Sequence, residues 1–207
     1  MSITPPLQRQ HHWVFDMDGT LTQAVHDFAA IRRMLGIPAE ADILGHLNQL
    51  PGAERERKRQ QLWEHEHELA RAARPANGAV ALIKALHAKG AQLGILTRND
   101  RSLALTTLKA IGLASCFAED EVLGRDEATP KPDPAGLNHL AALWQLPPTQ
   151  LVMVGDSIHD MEAGYRAGVT TLLVNYQGPL PLPWPDKVSH HFRDCEALLA
   201  AINSPAS

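Results

Sequence analysis

Four short runs rich in Val, Ile and Leu, His12 to Phe15, Gln92 to Leu96, Leu151 to Gly155 and Thr171 to Val174, each lead into polar or turn residues. Between them the apolar positions recur at helical spacing near Gly78 to Ala88, Arg101 to Ile111, Pro134 to Trp144 and Asp160 to Ala167. Gly90, Gly112 and Gly168 stand where such helices would stop. This alternation predicts an α/β fold, a parallel sheet whose crossover helices cover both faces. A last short strand is expected near His190 to Phe192, before a helix from Cys195 to Ile202. Gly178 to Pro185 holds four prolines and reads as loop.

One stretch breaks the rhythm. Between Thr22 and Asn77 there is only helical periodicity, interrupted by Gly36, Pro38, Pro51 and Gly52. It reads as a small helical insertion, or cap. The chain then divides into a core of residues 1–21 and 78–207 and a cap of residues 22–77. Within the cap, Glu54 to Arg74 alternates charges, with Glu54 four residues before Lys58, and reads as a solvated helix face.

Composition narrows the functional classes. A net charge of −4, with 19 Lys+Arg not gathered into one block, argues against a nucleic-acid partner. No apolar run approaches the roughly 18 residues of a membrane span, and residues 1–12 have no leader-like apolar segment. A cytoplasmic protein, monomeric by default, is expected. Cys116 and Cys195 have neither CxxC spacing nor the density of a disulfide framework, and read as reduced structural thiols.

The chemistry-bearing residues sit at the ends of the predicted strands. Val14-Phe15-Asp16-Met17-Asp18-Gly19-Thr20 ends an apolar run in two carboxylates one residue apart. An extended backbone puts both on one side, where they must share a proton or bind a cation. Phosphoryl transfer uses both solutions: an ionised Asp attacks phosphorus, and a protonated neighbour serves the leaving alkoxide. Standing alone, the motif reads equally well as a polar turn. Gly155-Asp156-Ser157-Ile158-His159-Asp160 places a second carboxylate pair after a second strand. Mg²⁺ takes one or two carboxylates plus phosphate oxygen and water, which Asp16, Asp156 and the Asp18 carbonyl supply. Helix N-capping is the competing reading for Asp156 and Asp160.

Thr97-Arg98-Asn99 ends the Gln92 to Leu96 run with groups able to bond phosphate oxygens. Lys131, in Thr129-Pro130-Lys131-Pro132-Asp133-Pro134, puts a point cation on a proline-stiffened loop, suited to a phosphoryl group that spreads negative charge during transfer. Ligands of open α/β sheets bind outside the carboxyl ends of the strands, where Asp16, Thr97 and Asp156 all fall.

Asp16-Met17-Asp18-Gly19-Thr20, Thr97, Lys131 and Gly155 to Asp160 together resemble the four ordered motifs of the haloacid dehalogenase superfamily. The resemblance implies a Rossmann-like core and a Mg²⁺-dependent phosphatase acting on a small phosphorylated metabolite. It implies Asp16 as nucleophile and metal ligand, Asp18 as general acid/base and backbone metal ligand, and Asp156 as metal ligand. Thr97, Arg98, Asn99 and Lys131 would contact phosphate, Lys131 also restraining Asp16, and Asp160 would support the metal's water shell. The insertion resembles the helical cap of the phosphoglycolate phosphatase-like branch, though Thr22-Gln23 replaces the acidic residue many relatives carry and the cap is shorter than the four-helix form.

Three alternatives compete. A dehalogenase has no use for Asp18, since halide needs no proton. A phosphomutase of the β-phosphoglucomutase type shares all four motifs but needs a cap able to hold a second sugar phosphate. A non-catalytic binding protein would not need the full set of catalytic positions. His26, Arg32 and Arg33 read as exposed helix residues rather than substrate contacts. His65 and His67 lie two apart and do not share a helix face, so the Glu64 to Glu68 run is not a zinc site. The dispersed Trp13, Trp63, Trp144 and Trp184 read as packing residues.

Overall fold

The computed structural model describes residues 6–24 and 28–205. Its six strands are β1 (His12–Phe15), β2 (Gln92–Leu96), β3 (Val122–Leu123), β4 (Val152–Gly155), β5 (Thr170–Leu173) and β6 (His190–His191). They form one sheet in the order β3-β2-β1-β4-β5-β6, and every pairing is parallel. Among the described residues eight α-helices accompany the sheet. Four lie between β1 and β2, namely α1 (Phe28–Leu35), α2 (Ile43–Gln49), α3 (Gly52–Arg71) and α4 (Ala79–Ala88). The others are α5 (Arg101–Ala110), α6 (Ala135–Leu143), α7 (Ile158–Ala167) and α8 (Cys195–Asn203).

Side-chain alternation along the strands sorts the core into two layers. Trp13 and Phe15 of β1, with Leu93 and Ile95 of β2, bury against Leu82 and Leu86 of α4, Leu108 of α5 and Leu198 of α8. Val14 and Met153 point to the other face and pack on Leu137 and Leu140 of α6 and Ala163 of α7. Burial of each large side chain contributes roughly 1.5–3 kcal/mol. The Trp13 indole N–H is satisfied by the Gln10 carbonyl at 3.1 Å, so its burial leaves no orphan donor. The helical insertion has a small core of its own, Ile31, Leu35, Ile37, Leu47 and Leu62.

Three details differ from the sequence reading. β3 was not expected; it is two residues long, and its buried pair is held by register with Ile95 and Leu96. α7 starts at Ile158, two residues early, because the Asp160 carboxylate accepts from both the N–H (3.0 Å) and the hydroxyl (2.6 Å) of Ser157. Ser157 is therefore the N-cap, Asp160 the third helical residue of a capping box, and Asp156 precedes both. The charged helix α3 is not solvated all round, since Leu62, His67 and Ala70 are buried. Both cysteines are unpaired, and burial pushes the Cys195 thiol up to about 12, in keeping with a structural role.

Candidate active site

The chain runs from β1 outward through β2 to β3, then returns to β4 on the other side of β1. The carboxyl ends of β1 and β4 thus flank the point where the strand order reverses, which is where open α/β sheets bind ligands. Asp16 follows β1 and Asp156 follows β4, with the Asp16 N–H bonded to the Val154 carbonyl at 2.9 Å.

The loop after Asp16 folds back on itself. The N–H groups of Leu21 and Thr22 both point to the Met17 carbonyl, at 2.9 and 3.0 Å. This turn requires Gly19 at φ +80°, and a Cβ there would lie 2.3 Å from the Asp156 carboxylate. The turn is pinned from outside by Asn175, whose side-chain amide donates to the Gly19 carbonyl at 2.7 Å. Thr20 donates its hydroxyl to Asp156 at 2.9 Å. Asn175 escaped the sequence reading because it lies beyond every motif and acts through a contact 156 residues away.

Lys131 is the electrostatic centre. Its ammonium lies 2.6 Å from Asp16 and 2.6 Å from Asp160 and is only 4% exposed. Burial alone would depress its pKa, but the two carboxylates overcome that and hold it above the ordinary value. Burial pushes Asp16 up to about 8, with Lys131 pulling the other way and Asp160 and Asp156 adding repulsion. Asp156 is pushed up to about 6, first by burial and then by Asp160. Asp16, Asp156 and Asp160 each offer a carboxylate oxygen within 4.8 Å of the others. Asp16 and Asp156, both held above the ordinary carboxylate range in this crowded site, suit a hard divalent cation, which would stabilise their charged forms. Of the three, Asp160 is the most committed, its oxygens divided between Ser157 and Lys131.

Asp18 accepts from the Asn99 side-chain amide at 2.6 Å. Asn99, expected at the phosphate, therefore spends its amide on Asp18, and its backbone N–H on the Thr97 hydroxyl at 3.2 Å. Thr97 keeps its hydroxyl proton for another acceptor. The Arg98 side chain is exposed, and its backbone N–H has no partner among the described residues.

Asp16, Asp18, Thr97, Arg98, Asn99, Lys131 and Asp156 all line one cavity of about 540 Å³, while Asp160 lies fully buried outside its lining. Sequence reasoning missed Arg125, which belongs to no short pattern, and gave no role to His159, which stands inside the Gly155 to Asp160 motif; both line the cavity. It also misjudged two residues of the helical insertion. Arg32 is half-buried and lines the cavity, its Nε donating to the Ala41 carbonyl at 2.9 Å, and Glu66 of α3 lines it too. Both were read as solvent-facing because the spacing of charged residues along a helix does not show which surface they will meet. Arg33 is exposed and outside the lining, and His26 lies outside the described residues. His67 stacks on Trp63 with ring centroids 3.8 Å apart and bonds the Trp63 carbonyl, a packing arrangement.

Comparison with known proteins gives the family and the fold. Residues 12–168 match the model of the haloacid dehalogenase-like hydrolase family. A haloacid dehalogenase-like hydrolase domain-containing protein of Arabidopsis thaliana is 32% identical over 180 residues, covering 80% of this chain and 71% of that one. A phosphoglycolate phosphatase of Salmonella typhimurium is 30% identical over 199 residues, covering 92% of this chain and 74% of that one. The crystal structure of a hydrolase from Pseudomonas syringae shares the fold, with a TM-score of 0.73 at 24% identity over 96% of this chain and all of that one.

Proposed function

Since the chain belongs to the haloacid dehalogenase-like hydrolase family, we propose that it is a Mg²⁺-dependent phosphatase that hydrolyses a small phosphate monoester through an aspartyl-phosphate on Asp16. The observation that carries this reading is the pairing of Lys131 with Asp16 at 2.6 Å, at the carboxyl end of β1 and facing the cavity. The ammonium offsets the negative charge of nucleophile and phosphoryl group, and holds Asp16 in one orientation. Residues 22–77 act as the cap over a core of residues 1–21 and 78–207.

A carboxylate oxygen of Asp16 forms a bond to phosphorus as the bond from phosphorus to the ester oxygen breaks, and Asp18 passes its proton to the departing alkoxide. Water then attacks the aspartyl-phosphate, gives a proton back to Asp18, and frees Asp16 and inorganic phosphate. Asn99 orients Asp18 through the 2.6 Å bond, while the Thr97 hydroxyl and the Arg98 N–H are free to donate to phosphoryl oxygens. Asp16, Asp156 and the Asp18 backbone carbonyl would hold Mg²⁺, which supplies positive charge to the transferring group. Asp160 fixes Lys131 from behind.

The test is hydrolysis across a panel of small phosphate monoesters, with and without Mg²⁺, by the wild type and Asp16→Asn. The expected result is metal-dependent turnover by the wild type and its loss in the variant. Turnover that survives Asp16→Asn, or absence of turnover on every ester, contradicts the proposal.

A further inference from the structure

The cavity holds more than a phosphoryl group needs. About 540 Å³ falls within the roughly 300–1,000 Å³ of sites that enclose drug-sized ligands, and the ester of a two-carbon acid would fill only a part. The lining divides by origin. The strand ends contribute the charged and hydrogen-bonding groups described above, whereas the stretch from α1 to α3 contributes Ile31, Ile43, Leu44 and Leu62.

This aliphatic wall is anchored. Ile31 and Leu62 belong to the buried cluster of the helical insertion, and Ile43 packs against it. Leu44, the second residue of α2, remains 40% exposed and so offers apolar surface to whatever enters. Its helix is fixed at that end, because Asp42 accepts from the Gly45 N–H at 2.6 Å. Among the described residues, charge on this side does not favour an anion, since Arg32 shares the lining with Asp42 and Glu66. Among the described lining residues none is Phe, Tyr or Trp, and the one imidazole, His159, comes from the β4 side rather than from this wall, so the described wall suits an aliphatic body better than a stacked base.

Resting on the phosphatase reading, we infer that the alcohol released is larger than glycolate and uncharged at its far end, with an aliphatic body packed against Ile43 and Leu44. The cap side of the cavity then selects by burial of methylenes rather than by pairing with a carboxylate.

The probes are straight-chain alkyl phosphates from ethyl to hexyl, whose leaving alcohols have closely similar basicity, set against phosphoglycolate. The expected kcat/KM rises by about fourfold for each methylene that the wall covers, and hexyl phosphate outranks phosphoglycolate. In Leu44→Asn the rise shrinks to less than about twofold per methylene, and Leu44→Met retains it. Leu44 is exposed enough for both variants to fold. A flat series in the wild type, or preference for phosphoglycolate, overturns this inference and leaves the phosphatase reading in place. No turnover of any ester overturns both.

Discussion

Lys131 joins two carboxylates that would otherwise repel each other inside the protein, and the residues around it set how the site responds to pH. Asp16 and Asp156 are pushed up to about 8 and about 6 from an ordinary 3.8, in both cases mainly by burial. Between 3.8 and about 8 the folded chain therefore binds more protons at these positions than the unfolded chain does. By linkage, the metal-free protein loses stability as pH rises through that window. Mg²⁺ competes with those protons and removes the repulsion. Thermal denaturation is expected to show a larger Mg²⁺-induced rise in Tm at about pH 8 than at about pH 5, and an equal rise at both would contradict this account of the carboxylates. Asp16, Thr97, Lys131 and Asp156 were legible in the sequence because each sits in a local pattern that places it at a strand end or on a stiff loop. The Asn99 to Asp18 bond and the Asn175 clamp were not, because long-range pairing of amides leaves no spacing to read.

At the scale of elements, the β4 to α7 junction is built by close approach. A Cβ on Gly155 would lie 2.3 Å from the Asp160 Cβ, in the middle of the capping box that starts α7. Gly155→Ala is expected to cost about 1–3 kcal/mol, the usual range for overpacking, as read from denaturant unfolding. Activity should fall with it, since Asp160 and Lys131 must shift together. An unchanged midpoint and unchanged kcat would show that the junction has slack. The sequence identified strands β1, β2, β4 and β5 to within about a residue because each is a buried apolar run ending in turn residues. Two-residue β3 carries no such pattern and exists through its register with β2. The start of α7 was displaced because two bonds donated by Ser157 to the Asp160 carboxylate extend the helix backward.

Across the whole molecule, the helical insertion brings an aliphatic wall to the same cavity as the charged groups at the strand ends of the parallel sheet. The presence of a helical insertion after β1 was legible from the loss of strand pattern. The inward direction of Arg32 and Glu66 was not, since charged residues on a helix cannot reveal from sequence which neighbour they will face. No helix among the described residues is long and apolar enough to cross a membrane. On the proposed mechanism, Asp16 carries the phosphoryl group. The most direct measurement is mass spectrometry of enzyme acid-quenched during turnover in Mg²⁺. The peptide containing Asp16 is predicted to gain the mass of one phosphoryl group, removed by hydroxylamine and absent in Asp16→Asn. Steady turnover with no such adduct, or an adduct on another residue, would contradict the account.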